Sequence, residues 1–522
     1  MASLTRPSES GPTTAASVPL ASAGRRWLRL ALALSLGLLA LRLHVALRIG
    51  FGDAEALYVT YGLHPQPAYL DHPGFIGTLA RLLAPAGDVA EATRVHVFTA
   101  MFATLVPWLG GAAARAAGAS LEGVAKTTLA LLLVPELSLG LFAFSPDLPL
   151  AAFWLLALAL AAAALRQPDR SFAALMATLG AGVAVGLATL SKASGALLGL
   201  AVLAAFLTKP ARSRWRTPAP WAGLAVSLVL VAPVVVWEAR QGFPMLEHRL
   251  VTTQAEAGLS FRNLAALIGG QLLYVTPPFL VGVAVLLRQL GRGRHLDAVS
   301  RLLWLATLVP AAVLIPLCLW SRVAEPHWLA PAYLAAAVEL GRRPQAIGRR
   351  LGSACVATGV VAVLIGWIWV ATDLPPKLLG DGYRARYDLA NDLHAWGPGR
   401  RLLRDAVADA MLQTRRLPVV VGPHWTVCAQ AQAALGPRVP VGCHSPLPDD
   451  FDRWLPPERW QQAATVLYVS DDRFPADPQP LFPDRAVIGV GRAEVRRGGQ
   501  VVRTLRVVRL DRSVGVSLAS PR

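Results

Sequence analysis

Long apolar stretches rich in Ala, Leu, Val and Gly alternate with short polar segments as far as about residue 371. A helix needs about 20 mostly apolar residues to cross a hydrocarbon core of about 30 Å. About eleven stretches meet or approach this length, and each predicts a membrane-spanning helix: 27–48, 93–113, 121–143, 148–165, 172–190, 193–208, 219–237, 263–287, 302–320, 328–341 and 351–371. The two stretches that meet at Ser191 and Lys192 could instead form one re-entrant unit.

The overall composition also indicates a membrane protein. Apolar residues make up 54% of the 522 residues and charged residues 16%, and the mean hydropathy is +0.47. A water-soluble globule could not hide this much apolar surface from water. The net charge of +18 would suggest a nucleic-acid partner in a soluble protein. Basic loop residues explain the same charge in a membrane protein, so we expect no nucleic-acid partner.

The distribution of Lys and Arg among the short loops predicts the orientation. If the tail 1–26 is cytoplasmic, the loops on its side hold about three times as many basic residues as the opposite loops, and such residues concentrate on the cytoplasmic side. We therefore expect a multi-pass protein of the plasma (inner) membrane with a cytoplasmic N-terminus. The segment 49–92 after the first span, called the first loop below, and the C-terminal domain are then extracytoplasmic.

The residues after the last span, 372–522, predict a small α/β domain. Its expected elements are a helix at 400–416, strands at 417–422 and 465–470, and a hairpin at 485–510 that turns at Gly498 and Gly499. The predicted fold class is therefore an all-α polytopic membrane protein over 27–371, followed by a small C-terminal α/β extracytoplasmic domain.

Two of the four cysteines lie in the predicted outer domain. Cys318 and Cys355 fall in predicted spans, where packing is their expected role. Cys428 and Cys443 lie outside the cytoplasm, where an oxidising compartment permits a disulfide, and we predict that they form one. Two unpaired thiols are the alternative, because separation along the chain does not show that the residues meet.

Polar functional groups are concentrated in the first loop: Asp53, Glu55, Tyr58, Tyr61, His64, Tyr69, Asp71 and His72. Asp53 and Glu55 follow the first span almost immediately, so they are expected at the membrane surface, where anchoring residues are usually Trp, Tyr, Lys or Arg. A carboxylate at that position suits an enzyme whose donor is a lipid and whose acceptor comes from water. An ordinary solvated loop is the alternative.

Further polar residues fall at the outward ends of other predicted spans. Asp147 could join a site, or Ser145 and Asp147 could cap the next helix. A Lys in or at the edge of the membrane, such as Lys192, marks function or snorkels to the surface, and a lipid phosphate is a suitable counter-charge. The same outward cavity could be lined by His248, Arg322, Glu325 and His327. The sequence shows no metal-ligand spacing, no Walker motif and no G-x-S-x-G.

Several of these stretches, in this order, resemble a known family. An acidic pair follows the first span, and Tyr69-Leu-Asp71-His72-Pro73 comes later in the same loop. The other stretches are Ser145-Pro-Asp147; Gly186-Leu-Ala-Thr-Leu-Ser-Lys192; 233–237 with Gly242-Phe243-Pro244; Gly270-Gln271-Leu-Leu273 before Pro277; Glu325-Pro-His-Trp328-Leu-Ala-Pro-Ala-Tyr333; and Leu467-Tyr-Val-Ser-Asp471. The chain resembles the GT-C class of polyprenyl-phosphate-sugar transferases, of the protein O-mannosyltransferase and aminoarabinose-transferase type.

The resemblance implies a GT-C transmembrane bundle in which the first loop forms amphipathic helices along the membrane surface. The implied reaction moves a sugar from a polyprenyl-phosphate carrier to a protein, lipid or polysaccharide acceptor on the outer face. Its partners are the lipid-linked donor, membrane lipid and an unidentified envelope acceptor, and no cofactor or metal is expected. A flippase, which would be expected to show internal repeats, and a catalytically silent envelope-binding relative are the alternatives.

The first loop departs from the family pattern at the acidic pair. Relatives usually carry adjacent Asp and Glu, whereas Ala54 separates Asp53 from Glu55 here. We expect Asp53 to be the general base and Glu55 to organise the site; the alternative is that Glu55, the positional match to the family's Glu, is the base. If the segment is helical, their side chains point about 200° apart, so only one can face the site. Donor or acceptor binding is expected from Tyr58, Tyr69, Asp71, His72, Asp147, Lys192, His248, Arg322, Glu325 and His327.

Overall fold

The computed structural model describes residues 18–292, 296–321 and 325–512. The part that ends at Ala371 is helical. Its α-helices are α1 Val18–Ala46, α2 Asp53–Tyr61, α3 Phe75–Leu83, α4 Ala92–Ala116, α5 Leu121–Leu133, α6 Pro135–Leu139, α7 Asp147–Arg166, α8 Phe172–Ser191, α9 Gly195–Leu207, α10 Pro218–Gln241, α11 Pro244–Leu250, α12 Phe261–Tyr274, α13 Pro277–Arg292, α14 Ala298–Trp320, α15 Ala330–Arg342 and α16 Gly348–Ala371.

Every predicted span is helical, but the helices differ in length. Seven helices of the described residues are long and apolar enough to cross a membrane: α1, α4, α7, α8, α10, α14 and α16. The predicted stretches 121–143 and 263–287 are bent pairs, α5 with α6 and α12 with α13, which brings the spans to as many as nine. The stretches 193–208 and 328–341 form α9 and α15, each of 13 residues.

Proline explains both bends. Pro135 begins α6, and the halves of the first pair meet at 77°. Pro277 begins α13, where the second pair bends by 100°, and Thr276 before it has a left-handed φ of 75°. Proline lacks a backbone N–H and disfavours the helical conformation in the residue before it. The apolar pattern continues across each break, so the pattern alone predicted single helices.

Small residues allow the helices of the bundle to pack closely. In α7, Trp154, Leu155 and Leu158 are fully buried at the centre of the bundle. Where α8 meets α10, a Cβ added to Gly182 would lie 2.1 Å from the carbonyl oxygen of Gly223. The two backbones are therefore in direct contact, as is common where glycine lines a membrane helix interface.

The chain beyond Ala371 forms the α/β domain, called the outer domain below. Its elements are α17 Leu374–Leu379, α18 Ala390–Thr414, β1 Val419–Gly422, α19 Trp425–Leu435, β2 Val441–Cys443, α20 Asp450–Trp454, α21 Pro457–Gln461, β3 Thr465–Asp471, β4 Arg485–Arg497 and β5 Gln500–Arg512. The strands form one sheet in the order β2-β1-β3-β5-β4; β1 is parallel to β2 and β3, and β5 is antiparallel to β3 and β4. The predicted strands and hairpin are confirmed, whereas α19 and β2 were not predicted.

The first loop and the outer domain share one hydrophobic core. Phe51, Tyr61 and Tyr69 of the loop are buried in the same cluster as Trp396 and Val427 of the outer domain. The loop contains α2 and α3, as the resemblance implies, and α2 packs directly on α19. The loop and the outer domain therefore lie on the same side of the bundle, as the predicted topology requires.

Candidate functional site

Glu55 is buried at the start of α2 and is surrounded by hydrogen-bond donors. Its carboxylate accepts hydrogen bonds from the backbone N–H groups of Gly52 and Phe144, at 2.7 Å each, and lies 3.0 Å from Nε2 of His96. The bond to Gly52 caps the helix. The adjoining cavity has a volume of 80 Å³, far below the 300–1,000 Å³ or so of typical ligand pockets. These contacts hold Glu55 in place, and its organising role in the site stays a prediction.

Asp53 faces the outer domain. Its Oδ2 lies 2.5 Å from the Arg473 guanidinium, and its Oδ1 accepts a hydrogen bond of 3.1 Å from Gln430. A general base needs a free lone pair within reach of the proton that it removes. Each oxygen of Asp53 has one donor and keeps a further lone pair, and α2 turns the side chain toward α19 and the residues that follow β3. The role of Asp53 as catalytic base stays a prediction.

Arg473 belongs to a charge network inside the outer domain. It donates to Asp471 at 2.7 Å and to Asp392 at 3.2 Å, and Arg503 donates to Asp392 at 2.6 Å. Burial, and then the negative charge of Asp53, raise the pKa of Asp392 to about 7, although both arginines oppose this shift. Asp53 is therefore part of an interface network that joins the first loop to the outer domain.

Lys192 and Asp147 form an ion pair at the outward end of the bundle. Asp147 is the first residue of α7, and Lys192 directly follows the last residue of α8. The Lys192 ammonium donates to both carboxylate oxygens of Asp147, at 2.8 and 3.0 Å. The two side chains are only 13% and 24% exposed. Pro146 occupies the capping position of α7 and no side chain caps the helix, so capping does not explain Asp147.

His327 lies between Glu325 and Asp147. Its Nδ1 is 3.0 Å from Oε2 of Glu325, and its Nε2 is 3.8 Å from Oδ2 of Asp147. The turn that carries it is held by Gln271 of α12, which donates a hydrogen bond of 2.9 Å to the carbonyl oxygen of Pro326. When Nδ1–H donates to Glu325, Nε2 carries the lone pair and can accept a proton. The arrangement is that of a base oriented by a carboxylate.

Tyr58 and His72 belong to the first loop, and their side chains lie next to each other. The Tyr58 hydroxyl lies 3.2 Å from Nε2 of His72. Arg249 of α11 donates two hydrogen bonds of 3.2 Å to the carbonyl oxygen of Asp71 and lies 3.0 Å from its carboxylate. His248 lies 3.6 Å from the same carboxylate. The short helix α11 is thereby fixed against the loop.

Electrostatic coupling shows that these groups form one cluster. Burial, and then the charge of Arg249, lower the pKa of His72 to about 3, so His72 is neutral at physiological pH. Burial, followed by the charges of Asp71 and Asp147, raises the pKa of Tyr58. We call the following residues the outward cluster: Tyr58, Asp71, His72, Asp147, Lys192, His248, Arg249, Glu325 and His327.

Tyr69 is not part of this cluster, contrary to the sequence-based prediction. Its side chain is fully buried, and its hydroxyl donates to the carbonyl oxygens of Tyr61 and His64, at 2.9 Å each. Its ring stacks on that of Tyr61 with centroids 3.7 Å apart. A Cβ on Gly77 would come within 2.4 Å of the Tyr69 hydroxyl, so α3 is also packed against it. Tyr69 therefore shapes the loop and is not available to a substrate.

The structure brings the predicted cysteine pair together. The sulfurs of Cys428 in α19 and Cys443 in β2 lie 2.8 Å apart, and both residues are buried. Both are thiols in the structure, so the disulfide bond, which would be about 2.05 Å long, stays a prediction. Arg322, another predicted site residue, lies outside the described residues.

Sequence reasoning missed Arg249, Gln430 and Arg473. Arg249 adjoins the predicted residue His248, and Arg473 follows the predicted strand at 465–470 almost directly. In both cases the sequence shows a cation close to a residue or strand that was predicted, which is only a weak indication of a site. Nothing local relates Arg473 to Asp53, since 420 positions separate them.

Residues 85–237 match the family described as dolichyl-phosphate-mannose-protein mannosyltransferase. No curated protein matches the chain. The structure is similar to the crystal structure of ArnT from Cupriavidus metallidurans bound to undecaprenyl phosphate, with 19% identity, 95% of this chain and 99% of that chain covered, and a TM-score of 0.56. The structure is also similar to the crystal structure of the same protein in the apo state, with 19% identity and a TM-score of 0.57. This match covers 93% of this chain and 98% of that chain.

The chain therefore has the fold of a GT-C membrane glycosyltransferase over nearly its whole described length, which confirms the predicted fold class. The family match at residues 85–237 includes Asp147 and Lys192 and indicates glycosyltransferase activity.

Proposed function

We propose that this protein transfers a sugar from a polyprenyl-phosphate carrier to an acceptor on the outer face of the plasma (inner) membrane. The observation that carries the proposal is the largely buried ion pair between Lys192 and Asp147. It lies at the outward end of a bundle whose fold is shared with a protein bound to undecaprenyl phosphate. A cation at that depth is costly unless it has a partner, and polar residues inside membranes usually mark function.

Lys192 is the proposed ligand of the carrier phosphate. An ammonium group has three N–H donors, and two hydrogen bonds join this one to Asp147. The remaining donor can bind a phosphate oxygen while Asp147 keeps the side chain in place. Arg249 supplies a second cation to the cluster, close to Asp71. Both cations would stabilise the negative charge of the departing phosphate.

The proposed reaction is a direct displacement at the anomeric carbon of the donor. The bond from this carbon to the phosphate oxygen breaks, and its electron pair leaves with the phosphate. The acceptor hydroxyl oxygen forms the new bond, and its proton passes to Nε2 of His327. Glu325, at 3.0 Å from Nδ1, then stabilises the imidazolium. General-base catalysis of this kind contributes about 10²–10⁴-fold.

The donor already carries its leaving group, so the proposal requires no nucleotide, cofactor or metal. The acceptor is proposed to be a protein, lipid or polysaccharide of the cell envelope that reaches the outward cluster from the side of the outer domain. The N-terminus is then cytoplasmic and the outer domain extracytoplasmic, as the Lys and Arg distribution predicts.

The test is to reconstitute the purified protein in liposomes with undecaprenyl-phosphate mannose, glucose or arabinose, each labelled in the sugar. An envelope extract supplies the acceptor. Wild-type protein should move label from the carrier to the extract and release undecaprenyl phosphate. Movement of intact donor across the bilayer would instead identify a flippase. Retention of every donor unchanged on both sides would identify a binding protein and contradict the proposal.

A further inference from the structure

One more carboxylate lies beside the outward cluster. Glu136 is the second residue of α6, in the outward half of the bent pair α5–α6. Both of its carboxylate oxygens are buried, and neither has a hydrogen-bond partner among the described residues. The residue as a whole is half-buried.

The neighbours of Glu136 belong to the proposed site. Its carboxylate is electrostatically coupled to Asp147 and Lys192. It is also coupled to Tyr274 at the end of α12 and to Tyr333 of α15.

The packing of α6 also places Glu136 near the residues of the proposed site. α6 contacts α12, and α12 carries Gln271, which holds the turn of His327 through Pro326. Tyr333 in turn donates a hydrogen bond of 2.6 Å to Gln271. The elements that position His327 therefore also surround Glu136.

A buried carboxylate without donors is unfavourable, because it loses its hydration and gains nothing in return. The carboxylates of Glu55, Asp53 and Asp147 do have hydrogen-bond donors. Glu55 has three donor groups, Asp53 has Arg473 and Gln430, and Asp147 has Lys192. A ligand that brings its own hydrogen-bond donors would satisfy Glu136. A sugar hydroxyl both donates and accepts hydrogen bonds, so it can satisfy the carboxyl group in either protonation state, whereas a phosphate offers no donor to the ionised form.

We propose that Glu136 binds the sugar of the lipid-linked donor by accepting hydrogen bonds from its hydroxyl groups, and so helps to select the sugar. The inference rests on the proposed function. With the phosphate on Lys192, the attached sugar lies within the region that Lys192 and Glu136 share, and its hydroxyls are the donors that the phosphate lacks. These hydrogen bonds depend on where the hydroxyl groups of the sugar lie, which makes this contact a discriminating one.

The experiment compares two probes, undecaprenyl phosphate and the undecaprenyl-phosphate sugar that the wild type binds most tightly. Glu136→Gln keeps the size of the side chain, and Glu136→Leu removes its hydrogen bonding altogether. We expect Glu136→Leu to weaken binding of the sugar-loaded carrier by about tenfold or more, with a smaller loss in Glu136→Gln. Binding of the sugar-free carrier should stay unchanged in both variants.

Glu122→Gln is the matched control, because Glu122 lies at the other end of the same bent pair and is bonded to Lys126 at 2.7 Å. It should bind both probes as the wild type does. Thermal unfolding checks the fold, and Glu136→Gln should unfold at about the wild-type temperature because it keeps the size of the side chain and breaks no hydrogen bond to Glu136 among the described residues.

Equal affinity of wild type and both variants for the sugar-loaded carrier would overturn the inference and leave the proposed function standing. An equal loss for both carriers would also overturn it, because Glu136 would then act on the phosphate or on the fold. A wild type that binds neither carrier would contradict the proposed function itself.

Discussion

Asp53 of the first loop and Arg473 of the outer domain form an ion pair of 2.5 Å across 420 positions of sequence. Their side chains are 10% and 13% exposed, so water screens the pair weakly. The same helix α2 carries Tyr58, which belongs to the outward cluster. The outer domain is thereby fixed to a helix that contributes to the outward cluster, and Asp53, the predicted base, also takes part in this assembly.

Asp53→Asn and Arg473→Gln should each lower the thermal stability of the protein. Removal of one partner leaves the other charge buried and unpaired, which costs about 3–5 kcal/mol for a fully buried pair and less here because of the residual exposure. Unfolding temperature in detergent measures the effect. Asp409→Asn, a change of an exposed residue of α18, is the control and should be neutral. Wild-type stability in both variants would show that the pair does not join the two parts.

His327→Gln should lower turnover by about 10²-fold or more without weakening donor binding, because it removes the proposed base. Glu325→Gln should cause a smaller loss, since it removes only the orienting carboxylate. Transfer of labelled sugar and donor affinity are measured on the same samples. His444→Gln, at an exposed outer-domain position, serves as the control. If Asp53→Asn abolishes turnover in folded protein while His327→Gln does not, Asp53 is the base.

Lys192→Met should weaken binding of undecaprenyl phosphate by about tenfold or more, because a charged hydrogen bond to the phosphate is lost. Direct binding to the purified protein measures this. Lys126→Met removes a cation that is 38% exposed and paired with Glu122, and its donor affinity should equal that of the wild type. Unchanged affinity in Lys192→Met would mean that Lys192 serves only to hold Asp147.

Cys428 and Cys443 should be joined by a disulfide in protein from the native host. Their sulfurs already lie 2.8 Å apart in the buried part of the outer domain. Thiol labelling of denatured, unreduced protein should modify neither residue, and labelling after reduction should modify both. Labelling of both without reduction would show that the bond does not form.

Reporter fusions at Lys209 and Ala476 should report a cytoplasmic and an extracytoplasmic position, respectively. Lys209 lies in one of the basic loops between spans, and Ala476 lies in the outer domain. The concentration of basic residues in the loops predicts this orientation. An extracytoplasmic signal at Lys209 together with a cytoplasmic signal at Ala476 would reverse the topology and move the proposed site to the other side.

The sequence by itself determined the class of the protein, the positions of its helices and much of the outer sheet. These features depend on local properties: the length of apolar runs, the Val-rich segments of β3 and β5, and the glycines of the β4–β5 turn. Local patterns also placed Asp147, Lys192 and His327 at the outward ends of elements. The order of the motifs then made it reasonable to expect that they meet.

Only the tertiary structure decided which of these groups share a site and what each one does. Residues two apart on α2 point in different directions, and packing against α19 turned Asp53 to Arg473, whereas Glu55 turned to His96. The bends at Pro135 and Pro277 divide two of the predicted spans into bent helix pairs. The burial of Glu136 without a donor is likewise invisible in the sequence. Hydrogen bonding and charge pairing act over a few ångströms in space, and the chain brings such groups together from hundreds of residues apart.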